Sequence, residues 1–247
     1  MRRLWLLCLL LVLAGCNHKP AQVAVPPAPA PQPQTPAGTP PVEADRSKVP
    51  ETTIPPQAEI APDTKPLFVE TGVASWYGAP YHNRRGSNGE IYDMHALTAA
   101  HRTFPLGSIV RVTNLSSGES VIVRITDRGP FIEGRIIDLS RAAAEKIGLI
   151  RRGTGEVRVE LLRTPLPLDA GGKWAVQIGG FEREKRAREI ADHLTHRYHS
   201  AQVLTFNSPA GDWWVRVRVK DDLRARAEEV IRDTRTPEGA VFLVRLD

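Results

Sequence analysis

Acidic side chains and a histidine are concentrated in two polar stretches of this 247-residue chain. Glu90, Asp93 and His101 follow one another within twelve residues, and Asp127 stands in the sequence TDRGPF. These side chains donate and accept protons in general acid–base catalysis. Acids and histidines in turns are often merely solvated, so the spacing leaves an acid–base site and a solvated surface as alternatives.

Further residues are weaker candidates for the same chemistry. Asp138 is a further carboxylate, which stands where it would cap the start of a helix. Tyr77 could stack on a ligand ring or pack in the core at the end of a strand. Arg128 could bind a carboxylate or hydroxyl groups, or face solvent in a turn. We expect His95 to be structural.

Short β-branched runs between turn residues predict that these candidates belong to a small β-domain. The predicted strands are residues 68–78, 109–113, 120–126, 135–138 and 155–162. One short helix is predicted at 140–147, with Ser140 as its N-cap and Gly148 after its end. Mostly strands over roughly 95 residues favour a β-barrel.

The end of the chain repeats a strand–helix–strand pattern twice. The predicted order is strand 174–178, helix 183–198, strands 201–206 and 213–219, helix 223–231 and strand 241–245. This βαββαβ order is typical of a ferredoxin-like α+β sandwich. The chain is therefore mainly β plus α+β, with predicted domains at 67–163 and 173–247 and a linker at 164–172.

The first 15 residues are typical of a secretory signal peptide. Arg2 and Arg3 precede an apolar run that is too short for a transmembrane helix, and small residues lead to Cys16. The sequence LAGC at 13–16 resembles the lipobox of bacterial lipoproteins. That resemblance implies a lipid anchor on Cys16, and Asn17 after the cysteine favours the outer membrane over the inner one.

Residues 16–66 have a different composition from the rest. Fourteen of the 21 prolines fall between positions 17 and 66, where Phe, Trp and Tyr are absent. Such a segment cannot bury enough apolar surface to offset its chain entropy, so we expect a disordered linker rich in polyproline II conformation. At about 3.1 Å per residue it would reach on the order of 150 Å from its anchor.

Cysteine use and charge limit the remaining function classes. Cys8 would be lost with the signal and Cys16 lipidated, so the mature chain would fold without a disulfide. The sequence has no cysteine cluster and no clear spacing of histidines and acids for a metal, so we expect neither a metal nor another cofactor. The net charge of +5 is compatible with anionic surroundings but decides little alone.

Eight short motifs stand in order along the predicted β-domain. They are ASWYG (74–78), SNGE (87–90), YD (92–93), LTAAH (97–101), LG (106–107), VRVTN (110–114), DRGPF (127–131) and RIIDLS (135–140). In order and spacing they resemble the rare lipoprotein A family. The resemblance implies a double-psi β-barrel related to expansins and to some lytic transglycosylases, with functional positions at Glu90, Asp93, His101 and Asp127.

The activity implied by this resemblance is cleavage of peptidoglycan between N-acetylmuramic acid (MurNAc) and N-acetylglucosamine (GlcNAc). A lyase of this kind uses the C6 hydroxyl of MurNAc to displace the leaving sugar and forms a 1,6-anhydroMurNAc end without water. Asp93 or Asp127 would be the acid–base group, with a pKa raised by burial and a neighbouring carboxylate. Glu90 and His101 would position the sugar or tune that group, and Asp138 remains a rival acid.

The C-terminal domain carries looser motifs, WAVQIGGF at 174–181 and WVRVR at 214–218. These resemble SPOR domains, which implies binding to denuded glycan strands, those stripped of stem peptides, at the division septum. Gln177, Phe181 and exposed positions on strand 213–219 are the expected sugar-binding residues. The alternative is that Trp174, Phe181 and one of Trp213 and Trp214 form the core.

Two other function classes compete with a transglycosylase targeted to the septum. An expansin-like barrel allows a non-catalytic peptidoglycan-binding lipoprotein instead of an enzyme. The basic βαββαβ domain also has the topology of RNA-binding modules. Export argues against a nucleic-acid partner, and the four family positions favour an enzyme. The sequence does not identify any protein partner.

Overall fold

A computed structural model describes residues 60–61, 63–236 and 238–247. The predicted signal peptide, Cys16 and most of the proline-rich linker lie outside these residues. The described chain forms a closed six-stranded β-barrel followed by a four-stranded sheet with two helices. This architecture confirms the predicted fold class, a double-psi barrel followed by an α+β domain. Within the described residues, no helix combines the length and apolarity needed to span a membrane.

The barrel closes in the strand order β1-β5-β2-β4-β3-β6. The pairs β1/β5 and β2/β4 are parallel and the other pairs are antiparallel. Its elements are β1 (Phe68–Tyr77), β2 (Thr98–His101), β3 (Ile109–Asn114), β4 (Ser120–Asp127), β5 (Arg135–Ser140), α1 (Arg141–Lys146) and β6 (Thr154–Arg163).

Alternating apolar residues fill the barrel. Val110 and Val112 of β3, Val123 and Ile125 of β4 and Val159 of β6 are completely buried in one cluster. Side chains alternate between the two faces of a strand, so every second residue of these segments points inward. Each such side chain contributes about 1.5–3 kcal/mol by leaving water. The interior is therefore a packed core, and any ligand must bind on the outside of the barrel.

Helix α1 begins at the residue that its sequence predicts. The Ser140 Oγ accepts a hydrogen bond from the Ala143 main-chain N–H at 3.2 Å, which makes Ser140 the N-cap. The same hydroxyl donates to the main-chain oxygen of Ala96 at 2.7 Å. This cap fixes the end of β5, the strand that carries Asp138, to the loop before β2.

The C-terminal domain has the strand order β10-β7-β9-β8, all antiparallel. Its helices pack on one face of the sheet, where Trp174, Val176, Val215 and Val217 form a core with them. The elements are β7 (Trp174–Phe181), α2 (Glu184–Arg197), β8 (Gln202–Asn207), β9 (Trp213–Arg218), α3 (Arg224–Asp233) and β10 (Ala240–Arg245). The helices do not cover the other face of the sheet.

That other face packs on the barrel. The Phe131 ring lies 5.4 Å from the Trp214 ring and 5.8 Å from the Phe242 ring between centroids. The main-chain N–H of Arg245 donates to the main-chain oxygen of Arg102 at 2.9 Å, which links the two domains. The barrel and the C-terminal sheet therefore share one apolar and hydrogen-bonded interface.

One glycine should test the register of the C-terminal sheet. Gly239 has φ +75°, and a Cβ there would lie 2.3 Å from the main-chain oxygen of Gly179. Gly211 also has positive φ, but a Cβ there would meet nothing within 4 Å. We expect both alanine variants to incur backbone strain of about 1–2 kcal/mol. Gly239→Ala should lose about 1–3 kcal/mol more, because its overlap is with rigid backbone.

Denaturant unfolding followed by tryptophan fluorescence measures this difference. An equal loss of unfolding free energy in Gly239→Ala and Gly211→Ala would contradict the close approach of residue 239 to strand β7.

Candidate active site

A cleft of about 390 Å³ lies between the barrel and the C-terminal sheet. Two of the predicted acids, Asp127 and Asp138, line it together with residues from the second domain. The principal side chains are Tyr77, Tyr81, Asp127, Arg128, Phe131 and Asp138 from the barrel, and Gln177, Phe206, Asp212, Trp214 and Arg216 from the C-terminal domain.

Strand register explains why the two aspartates face the same side. Ala100 of β2 pairs with Asp127 of β4 on one side and with Asp138 of β5 on the other. Residues paired across strands point to the same face, and neighbouring strands lie about 4.8 Å apart. Two strand spacings thus put the aspartate backbones about 10 Å apart. Ala100, the residue paired with both, has only a methyl side chain.

A β-bulge turns Asp127 toward this face. Ala99 pairs with Ile125 but Ala100 pairs with Asp127, so Thr126 is an extra residue on β4. An unbroken strand would have directed Asp127 to the same interior side as Val123 and Ile125. Bulges re-aim side chains in this way and are common beside active sites.

Asp127 accepts hydrogen bonds from several donors. Its Oδ1 accepts from the main-chain N–H of Ser87 at 3.0 Å and of Arg128 at 2.8 Å. The Ser87 hydroxyl donates to the same oxygen. These hydrogen bonds hold the Asp127 side chain in one orientation at the edge of the cleft.

Asp138 has the opposite environment. Burial raises the pKa of its carboxyl, and the charge of Asp127 raises it further. The hydroxyl of Ser75 donates to Asp138 Oδ1, and Ser75 in turn accepts from Arg135 Nη1 at 3.1 Å. These contacts, with the charges of Arg135 and Arg102, partly offset the rise in pKa. A carboxyl group with a raised pKa in the same cleft as a second carboxyl group can supply a proton donor and a negative charge.

Aromatic rings form the wall beside the aspartates. Tyr77 stacks on Tyr92 at 4.4 Å between centroids and meets Tyr81 edge-on at 5.7 Å. Burial raises the pKa of Tyr77, as do the charges of Asp127 and Asp138, so its phenol stays protonated. The sequence left open whether Tyr77 packs in the protein or contacts a ligand. In the structure its ring packs on Tyr92, and the residue also lines the cleft.

Glu90 and Asp93 lie in a smaller groove that meets the cleft at Asp127. Glu90 forms a two-pronged ion pair with Arg124, at 2.9 and 2.7 Å, which lowers the pKa of Glu90. Asp93 is exposed, and its Oδ1 accepts from the main-chain N–H of His95 at 2.9 Å. Glu90, Asp93 and Asp127 line this groove together, whereas Asp138 lines only the larger cleft.

The structure does not bring His101 to the cleft. Its ring is buried and stacked on Phe104 at 3.8 Å, and its Nε2 lies 2.8 Å from Glu70 Oε1. Its Nδ1 accepts from the main-chain N–H groups of Thr103 and Phe104, so the proton is on Nε2. His101 therefore fixes the loop after β2 instead of reaching a ligand.

Arg128 lines the cleft but is engaged by the protein. Its Nη1 donates to the main-chain oxygens of His101 at 3.0 Å and Phe104 at 2.7 Å, and its Nη2 to that of Asp247 at 2.7 Å. Burial lowers its pKa to about 10, so it stays charged at neutral pH. These bonds give Arg128 a role in joining the two domains, and its binding of substrate stays a prediction.

The two residues predicted for the C-terminal sheet surface separate. Gln177 lies on the face toward the barrel and lines the cleft. Phe181 is buried in the core beneath the helices, so the expectation that it binds sugar is corrected. A bulge between Gly179 and Phe181 shifts the register on β9. Gln177 and Phe181 are four positions apart, an even spacing that would put them on the same face of an unbroken strand. The bulge instead places them on opposite faces.

Sequence reasoning did not single out Arg216, Phe206 or Tyr81, which also line the cleft. The alternation of strand 213–219 was the available signal for Arg216, because it puts every second residue on the face away from the helices. His95 is exposed and meets His82 edge-on at 5.8 Å. Among the described residues, no group of three or more His, Cys, Asp or Glu side chains is arranged to hold a metal ion.

Comparisons with known families match both domains. A model described as a lytic transglycolase of the double-psi β-barrel type matches residues 69–159, and the SPOR domain model matches residues 170–233. The matched ranges contain every barrel carboxylate named above.

Several curated proteins are similar to this chain. The endolytic peptidoglycan transglycosylase RlpA of Vibrio cholerae is 46% identical over 134 residues, which is 51% of each chain. RlpA of Neisseria meningitidis serogroup A is 58% identical over 93 residues, 38% of this chain and 39% of that one. RlpA of Campylobacter jejuni is 39% identical over 159 residues, 54% of this chain and 58% of that one. The chain thus spans about half the length of these relatives.

The environment of Asp138 predicts a stability effect with a definite sign. Because burial raises the pKa of Asp138, the folded protein keeps a proton that the unfolded chain loses at lower pH. This contribution is present below the ordinary carboxyl pKa and is lost as pH rises through the folded-state pKa. We therefore expect Asp138→Asn to have a higher free energy of unfolding than the native protein at pH 7, with the difference shrinking toward pH 4.

Urea unfolding across that pH range measures the effect, and Asp192→Asn on the exposed side of α2 is the matched control. The interpretation fails if Asp138→Asn is the less stable protein at neutral pH.

Proposed function

We propose that this chain is a rare lipoprotein A family member and an endolytic lytic transglycosylase of peptidoglycan, because its two domains match the lytic transglycolase and SPOR models. Its substrate is the β-1,4 bond between MurNAc and GlcNAc in denuded strands, and its product ends in 1,6-anhydroMurNAc. The observation that carries the proposal is the pair of aspartates on one face, Asp127 oriented by converging hydrogen bonds and Asp138 with a raised pKa.

The geometry supports a division of roles between the two groups. Protonated Asp138 gives its proton to the glycosidic oxygen as the bond from MurNAc C1 to that oxygen breaks. The positive charge that develops at C1 is stabilised by the negative charge of Asp127. The C6 hydroxyl oxygen then bonds to C1, and its proton passes to the Asp138 carboxylate. The reaction consumes no water, and Asp138 ends in its starting protonation state.

Positioning of the sugar falls to the residues around the aspartates. Ala100 leaves room between them, and a Cβ at Gly129 would lie 3.6 Å from Asp138 Oδ2. Tyr77 and Tyr81 offer ring surfaces of the kind on which sugars stack. Glu90 and Asp93 line the adjoining groove, where we assign them to binding the strand beyond the bond that breaks.

Amide substitutions test the roles of the two aspartates. We expect Asp138→Asn to lower kcat by about 10²–10⁴-fold, because removing a general acid loses that contribution. Asp127→Asn should also abolish most activity, since it removes the negative charge near C1. Digestion of denuded sacculi, with mass spectrometry of the released 1,6-anhydro-muropeptides, gives the readout. Asp192→Asn should retain full activity.

Other outcomes of that digestion identify other functions. Products with ordinary reducing ends would indicate a hydrolase, and binding without any products would indicate a non-catalytic, expansin-like wall protein. Full activity in both the Asp138 and Asp127 variants would refute the site.

We further propose a location that suits this substrate. Lipid on Cys16 anchors the protein in the outer membrane facing the periplasm, and the C-terminal domain enriches it at the division septum, where denuded strands accumulate. The composition of residues 1–66 supports the anchor and the tether, and the SPOR match supports the glycan-binding role.

Substitution of the lipidated cysteine tests the anchor. We expect Cys16→Ser to incorporate no labelled palmitate and to move from the membrane fraction to the soluble periplasmic fraction. Native protein that carries no palmitate would contradict the anchor while leaving the proposed activity intact.

A further inference from the structure

The C-terminal sheet presents one cation to the active-site cleft. Strand β9 alternates, so Val215 and Val217 are buried beneath the helices while Trp214 and Arg216 lie on the face toward the barrel. Trp214 is buried against Phe131 at the interface. Arg216 is only partly buried and lines the same cleft as the aspartates.

One edge of the Arg216 guanidinium is already occupied. Its Nε and Nη2 donate to Gln177 Oε1 at 3.2 and 2.6 Å, and its Cζ lies 5.1 Å from the Phe206 ring centroid. Gln177 is itself 2% exposed. A buried side chain therefore orients the guanidinium, and an aromatic ring supports its face.

The other edge of the guanidinium remains available. A guanidinium has five N–H donors in a fixed fork, and Gln177 takes one from Nε and one from Nη2. Nη1 makes no hydrogen bond to any residue that the structure describes. The free pair, one N–H on Nη1 and one on Nη2, has the geometry that binds a carboxylate with two parallel hydrogen bonds.

Burial deprives the Arg216 guanidinium of hydrating water, which favours binding of an anion. Desolvation lowers the pKa of Arg216, and the charge of Asp127 partly restores it. A ligand that brought a carboxylate to the free edge would replace the water lost there. The charge of Asp127 lies nearby, so such a ligand would have one part on Arg216 and another part at the aspartates.

We propose that Arg216 binds the free lactyl carboxylate of a MurNAc residue in the strand being cut. This inference rests on the proposed function. In strands that carry stem peptides this carboxylate is joined in a neutral amide, which offers no negative charge to the fork. Arg216 therefore makes the cleft selective for denuded strands, and the selectivity comes from the second domain within the active site itself.

Chemical change of the glycan tests the proposal without altering the protein. Denuded strands are compared with the same strands whose carboxylates have been converted to methylamides by carbodiimide coupling. Binding to the purified mature protein is measured by calorimetry in the Asp138→Asn background, so that cleavage does not interfere. We expect the free carboxylate to strengthen binding about 10–100-fold, the range for hydrogen bonds to a charged group.

Variants at position 216 assign that preference to one side chain. Arg216→Met should weaken binding of the free-carboxylate strands by the same factor and leave binding of the methylamide strands unchanged. Arg216→Lys should keep part of the preference, because it keeps the charge but loses the fork. Arg218→Met, two residues along the same strand and paired with Asp222 at 2.8 Å, should keep all of it.

Three outcomes would overturn the proposal. Equal binding of the free-carboxylate and methylamide strands by the protein with Arg216 intact would show that the protein does not recognise the carboxylate. An equal loss for both strands in Arg216→Met would make the residue part of the cleft wall only. The same loss in Arg218→Met would indicate general positive charge. Preference for the carboxylate without anhydro products would keep this site and refute the proposed transglycosylation, so the two failures are distinguishable.

Discussion

The buried guanidinium of Arg128 holds the active-site face of the barrel and the C-terminal domain in one arrangement. Removing a cation from water is expensive unless its donors are matched, and Arg128 donates to three main-chain oxygens from different parts of the chain. The first oxygen belongs to His101 at the end of β2, the second to Phe104 in the loop after it and the third to Asp247. Because Arg128 directly follows Asp127, the same contacts fix the position of that carboxylate.

The strand register places two aspartates with different surroundings, Asp127 and Asp138, in one site. The bulge at Thr126 turns Asp127 outward, and the pairing of Ala100 with both aspartates puts them on one face. They then differ in their partners. Main-chain N–H groups point at Asp127, whereas Asp138 lies deeper beside the hydroxyl of Ser75. The raised pKa of Asp138 follows from its burial.

Local pattern predicted most of the elements, and the site only in part. Alternating β-branched runs correctly indicated strands such as β3 and β4, and Ser140 was correctly predicted as a helix cap. Strand β2 (Thr98–His101) was missed because TAAH has no β-branched run, and its pairing comes from its neighbours. Phe181 was left open between the sheet surface and the core, because a bulge reverses the faces of a strand and nothing in the alternation reports it. The cleft itself joins residues more than 80 positions apart, so only the packing of the two domains could reveal Arg216 beside Asp127.

The shared cleft changes how the second domain is expected to contribute. A binding module on a free tether would only raise the local concentration of substrate near the barrel. Here Gln177, Trp214 and Arg216 line the same cleft as Asp127 and Asp138. Binding energy from parts of a substrate that do not react can then hold the reacting bond in place and stabilise its transition state. A group of the substrate that binds to the C-terminal sheet would therefore alter the rate of bond cleavage as well as the affinity. A targeting domain separated from the active site would alter only the affinity.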